Sequence, residues 1–217
     1  MKRLILVFFL AASPLAHPDE AGYEYTYMEL SANHSEDYGY KGVVSVNIPA
    51  LPFYIRAVTL KENIKAQGSP YKKSTEALFF GVHASITEIL NGISKSGLSF
   101  NFDSFMDAYA EIGASRWELK DSLAMVDDGN DAYLKAGIKM GDPTSWEYDL
   151  YIEQTKLAKL LIDPVTNKSI YSFSTKTNNN IGIKVTTHLR NNFATNFGYN
   201  NDNFSGSMLS VGVRLSF

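Results

Sequence analysis

The sequence contains no cysteine, which excludes disulfide staples and thiolate metal centres and leaves the chain indifferent to an oxidising compartment. It has no excess of basic residues either. The formal net charge is −3, and loss of Lys2 and Arg3 with a leader would take it to −5, so no cationic surface suited to nucleic acid is on offer. Long apolar runs are also missing. A spanning helix needs about 20 apolar residues; the run from Leu4 to Ala12 has nine, too few to span, and no other run reaches about 12 without a charged or polar interruption. Aromatic residues, by contrast, are abundant, with 13 Tyr and 13 Phe. A 45% hydrophobic content over 217 residues forbids disorder and suffices for one folded unit. An aromatic chain without a spanning helix suits a soluble β-sandwich or a barrel that lines two membrane–water interfaces.

The first residues, MKRLILVFFLAASPLAHPDE, set Lys2 and Arg3 before the apolar run and small residues with a proline after it. This is the layout of a secretory signal, expected to cover residues 1–16 with cleavage after Ala16, or at Ala12 or Ser13. Export through the periplasm follows from it.

Beyond the leader, alternation with period two recurs and marks strands with two unlike faces. Thr26, Met28, Leu30 and Ala32 oppose Tyr25, Tyr27, Glu29 and Ser31; Val44, Val46 and Ile48 oppose Lys41, Val43 and Ser45. The pattern returns around Ile55, Phe80, Ile112, Ile138, Leu150 and Ile183, more weakly over 193–200, and finally in MLSVGVRLSF. Ten strands are expected, an even number that suits an antiparallel closed meander. PALP at 49–52, GDPTS at 141–145 and NNF at 191–193 read as tight turns, while 63–75, 119–131 and 158–178 read as long polar loops at the opposite end. The segment 87–105 falls on the short-turn side and is atypically long for it.

Energetic cost decides which face meets lipid. If the charged faces pointed outward, Arg56, Lys135, Lys139, Lys184 and Arg214 would each cost up to roughly 2–4 kcal/mol near a bilayer midplane. Turned inward, these cations join Glu29, Asp107, Glu111, Glu147, Asp149 and Glu153 in a lumenal charge network of nearly balanced sign. An apolar exterior around a charged interior inverts the soluble sandwich. The fold class expected is therefore all-β, an antiparallel transmembrane β-barrel over residues 23–217.

A leader, about ten alternating strands and a final strand ending in Phe217 resemble the bacterial outer-membrane β-barrel superfamily of OmpA-type transmembrane domains. The resemblance implies an outer-membrane location in a Gram-negative envelope. It also implies that Leu209, Val211, Val213, Leu215 and Phe217 form a C-terminal signal read by the barrel-assembly machinery. It says little about activity, because such barrels serve as pores, adhesins, enzymes and anchors.

Candidate chemistry is sparse. His83 and Ser85 resemble the His-Ser pair of outer-membrane lipid A deacylases, yet Phe80, Val82 and Ala84 claim the lipid face and turn His83 inward. His83 and His188 with Glu111 or Asp149 show no metal-ligand spacing. Omptin-type proteases also have ten strands, but here only His34 beside Glu36 and Asp37 comes near their acidic and histidine constellation. Lys61, Lys65, Lys72, Lys73, Lys156, Lys159 and Lys168 make parts of the rim basic and suit lipopolysaccharide phosphates. Leu157, Leu160, Leu161 and Ile162 form either an adhesive tip or the extension of two strands. The reading is a monomeric, non-enzymatic structural or surface-interaction barrel without cofactor or bound metal, its lumen plugged. A narrow pore is the alternative and a hydrolase the second alternative.

Overall fold

The computed structural model describes residues 23, 25–35, 37–66, 69–87, 89, 105–121, 125–162, 169–190, 192–202 and 206–217. The expected signal segment 1–16 and nearly all of 87–105 lie outside the described residues. Ten strands form: β1 Tyr27–His34, β2 Tyr38–Asn47, β3 Phe53–Ala66, β4 Ser69–Ser85, β5 Phe105–Lys120, β6 Met125–Gly141, β7 Trp146–Ile162, β8 Ser169–Arg190, β9 Phe193–Asp202 and β10 Gly206–Ser216. Each pairs antiparallel with its sequence neighbours, and β1 pairs with β10 to close the barrel. Closure leaves no edge strand.

The registers fix the geometry. A walk around the wall through paired residues, Lys139, Asp149, Lys184, Gly198, Ser210, Asn33, Gly39, Glu62, Lys73, Leu119 and Asp127, leaves β6 at one residue and returns to it at another. The difference, 139 − 127, is a shear of twelve residues. With ten strands, this shear tilts them by about 40° and gives a backbone radius of about 10 Å.

The two faces segregate as the alternation requires. Leu30 and Ile181 are 67% and 66% exposed, whereas Glu147 and Arg214 are each 1% exposed. On the wall formed by β4 to β6, the outward rows run apolar from Leu78, Ala114 and Ala132 downward; the next row up is Glu76, Arg116 and Asn130. Arg116 there pairs with Glu118 at 3.7 Å and with Asp128 at 3.8 Å. From Ala114 to Met106 on β5 the apolar run measures about 26 Å along the strand, or about 20 Å of height at this tilt, against a band of about 25 Å in membrane barrels. Exposed Tyr38, Tyr40 and Tyr199 lie at one margin, and Trp146, Tyr148, Phe193 and Phe217 at the other. Those are two aromatic girdles.

The three long loops expected at 63–75, 119–131 and 158–178 are instead mostly strand, since β3 continues to Ala66, β5 to Lys120 and β7 to Ile162. Strand pairing needs only backbone partners, and above the apolar band the outer face meets water. Alternation therefore disappears from the sequence while the ladder continues. The wall is lopsided as a result: β3 to β8 are 14 to 22 residues long, against 8 to 11 for β9, β10, β1 and β2. No helix among the described residues is long and apolar enough to cross a membrane.

The turn at 141–146 shows the local logic. Asp142 N–H donates to the Trp146 carbonyl at 2.8 Å, and the Asp142 carboxylate accepts from Thr144 N–H at 2.8 Å and Thr144 Oγ1 at 2.7 Å. These bonds hold the exposed Asp142 carboxyl below the ordinary aspartate pKa. Gly141 has φ +111° and lies against the Trp146 carbonyl, where a side chain would collide.

Candidate functional site: the lumen

Of the eleven charged residues expected inside the barrel, Glu29, Arg56, Asp107, Glu111, Lys139, Glu147, Asp149 and Arg214 are buried, Lys135 and Lys184 line the lumenal cavity, and Glu153 lies opposite Lys135 in the ladder. β3 carries Arg56 to Glu111 on β5, where the guanidinium Nε donates to Oε1 at 2.9 Å, Nη2 pairs with Oε2, and Tyr54 Oη donates to Oε1 at 2.8 Å. Arg214 on β10 reaches Glu147 on β7, with Nη1 at 3.0 Å from Oε2, and its Nε lies 3.7 Å from Glu29. Lys139 approaches Glu147 at 3.3 Å, and Lys184 on β8 approaches Glu29 on β1 at 3.3 Å. Tyr109 Oη donates to Asp149 at 2.7 Å. Lys135 sets its ammonium 4.0 Å from the Tyr151 ring centre, although Glu153 is its cross-strand neighbour. Buried ions persist only when each has such company.

Aromatic rings fill the space between the charges. Arg56 lies over Phe79 at 4.1 Å, Arg214 over Tyr27 at 4.3 Å and Lys139 over Tyr25 at 4.3 Å. Four inward rings, Tyr54, Phe79, Tyr109 and Tyr151, each face an inward glycine on the next strand: Gly81, Gly113, Gly137 and Gly182. At each of these glycines a Cβ would run into the opposing ring. The rings therefore lie down across the neighbouring strand, a ring-over-glycine arrangement repeated along the wall.

The segment before β1 was expected to be strand from Tyr25, and it does something else. The single Tyr23 O–H is shared between the carbonyls of Phe105 at 2.8 Å and Gly141 at 3.0 Å, on β5 and β6 across the barrel. Tyr23, Tyr25, Tyr54 and Tyr109 form one buried cluster, and His83 stacks on Tyr25 with ring centres 4.1 Å apart. Higher in the interior, Trp117 and Leu119 are buried with Tyr71 packed against them. A lumenal cavity of about 70 Å³ remains, from Tyr25 at one end to Asn33, Asn200 and Met208 at the other.

His83 faces inward, 3.8 Å from Asp107, and Ser85 sits opposite Asp107 in the ladder, so the pair is away from the lipid face. His188 lies 3.9 Å from Glu147, away from His83's partner. No group of three His, Asp or Glu among the described residues could hold a metal ion. His34 stacks on Tyr38 at 4.6 Å, and Glu36 lies outside the described residues. Of the rim lysines, Lys61 sits 5.6 Å from the Tyr40 ring centre. The side chains of Lys65, Lys156, Lys159 and Lys168 and of Leu157, Leu160, Leu161 and Ile162 lie outside the described set. Lys41 and Tyr23 belong to the lumen and were not among the residues expected in its network; parity alone would have added Lys41.

This lumen is the interior of a closed ten-stranded antiparallel barrel. Solved structures similar to the chain include the KdgM porin in complex with disordered oligogalacturonate, at 9% identity over 88% of this chain and 99% of that one, with a TM-score of 0.45. The N-terminal β-barrel domain of Pseudomonas aeruginosa OprF matches at 8% identity, 91% and 100% coverage and a TM-score of 0.41. The translocator domain of the autotransporter NalP from Neisseria meningitidis matches at 12% identity, 100% and 96% coverage and a TM-score of 0.38. No protein-family model and no curated protein sequence matches the chain.

Proposed function

We propose that the chain is an outer-membrane β-barrel with a structural or surface-interaction role and a lumen plugged by its own side chains against passage of solutes from one mouth to the other. The apolar band with its two girdles supports the membrane reading, because the exposed Leu, Ile, Val and Phe of β1 and β4 to β10 would otherwise face water. Leu209, Val211, Val213, Leu215 and Phe217 line the outer face of β10, where the assembly machinery and lipid would meet them. Lipopolysaccharide is the natural partner of the exposed rim.

The observation that carries the closed lumen is the Tyr23 hydroxyl bonded to carbonyls on the far wall. With a backbone radius of about 10 Å, long side chains reach across the lumen, as Lys139 on β6 does to Tyr25 before β1, and the tyrosine cluster occupies the end of the barrel that holds Phe105 and Gly141. In planar bilayers the purified protein is expected to show no steady ion conductance. Tyr23→Ala combined with Tyr25→Ala is expected to admit small leaks. Stable, reproducible channels from the unmodified protein would refute the closed lumen and favour a narrow pore, for which the residual cavity of about 70 Å³ would be the start of a path.

A further inference from the structure

We propose that the lumenal cavity around Lys41 binds a small oxyanion, a phosphate or carboxylate group. The cavity lining carries five cations, Lys41, Arg56, Lys135, Lys139 and Lys184, against three carboxylates, Glu29, Glu111 and Asp149. That is a local positive excess in a chain whose net charge is −3. Arg56 is taken by Glu111, Lys184 by Glu29 and Lys139 by Glu147. Lys41 and Lys135 have no carboxylate within 4 Å among the described residues.

A second, independent observation lies beside Lys41. Asn33 is 3% exposed, lines the same cavity, and neither its Nδ2 nor its Oδ1 has a hydrogen-bond partner among the described residues. Buried carboxamides are ordinarily satisfied. In the ladders Lys41 is paired with Ser31 and Asn33 with Ser210, and both serines also line the cavity. An ammonium, an amide N–H and two hydroxyls facing one space are donors for an oxygen-rich anion. The cavity of about 70 Å³ would hold roughly five to seven waters, which fits a group the size of phosphate and excludes a polymer.

The test is calorimetric titration of the full protein in lipid nanodiscs free of lipopolysaccharide, with inorganic phosphate and acetate as separate probes. Saturable binding of at least one is expected, weakened tenfold or more by Lys41→Gln and unchanged by Lys61→Gln on the outer face. Asn33→Leu is expected to weaken binding as well, and it decides the matter if Lys41→Gln fails to give the heat-shifted gel mobility of a folded barrel. Absence of saturable binding of both probes to the unmodified protein would overturn the proposal, as would unchanged binding in the folded variants. Because nanodisc binding is independent of conductance, a silent bilayer recording leaves this result to stand or fall alone.

Discussion

Replacing Glu147 by Gln tests whether the buried charges hold the barrel together. The substitution keeps the side chain's size and removes one negative charge from a residue that is 1% exposed. Two cations lose their partner, unequally. Arg214 keeps Glu29 at 3.7 Å, while Lys139 keeps no carboxylate, just the faces of Tyr25 at 4.3 Å and Tyr23 at 5.7 Å. Stranding one member of a buried pair costs about 3–5 kcal/mol. With Arg214 half-compensated, the lower end applies, about 3 kcal/mol or roughly a 150-fold shift in the folding equilibrium. Urea unfolding in lipid vesicles, followed by fluorescence of Trp117 and Trp146 and by gel mobility before and after heating, measures the change. Adding Lys139→Met to Glu147→Gln should restore at least about 1 kcal/mol, because the stranded ammonium goes. A single-variant loss below about 1 kcal/mol, or a double variant weaker than the single, would refute the reasoning.

Two further outcomes follow from the wall. Gly182→Ala should destabilise the barrel by about 1–3 kcal/mol in the same unfolding assay by pushing Tyr151 off the strand, and Tyr151→Ala in that background should relieve part of the loss; no change on Gly182→Ala would remove the ring-over-glycine account. Val213→Arg should block insertion or destabilise by roughly 2–4 kcal/mol, far more than Ser210→Arg on the lumenal side, and equal effects in a vesicle-insertion assay would undo the assignment of faces.

What was legible in the sequence was the part of the wall that touches apolar surroundings. There a residue's parity has a heavy cost attached, so Arg214 between Val213 and Leu215 could point only inward. Higher up, parity costs nothing. Asn178 and Asn180 on β8 are buried while Thr177 and Asn179 are exposed, yet all four are polar and gave no alternation to read. Pairing was illegible for a different reason. Parity says on which side of the wall a side chain lies, but the shear says what it meets. Arg56 finds Glu111 two strands away, and Lys184 finds Glu29 three strands away across the seam between β1 and β10, through a tilt of the whole barrel that no local window contains. The crossing of Tyr23 was hidden similarly, since its partners are carbonyls, which every residue has.

The seam where β10 meets β1 has an implication for the order of assembly. It contains eight residue pairs, from Tyr27 with Ser216 to His34 with Leu209, and the contacts of Tyr23 join residues 82 and 118 positions apart. Contacts so remote in sequence are slow to form. Until that ladder zips, Arg214 on β10 and Glu29 on β1 belong to opposite free ends of an unclosed sheet and keep their water. The desolvation of Glu29 is thus deferred to the moment Lys184 and Arg214 reach it across the seam, and the ladder that completes the wall is the one that brings its partners.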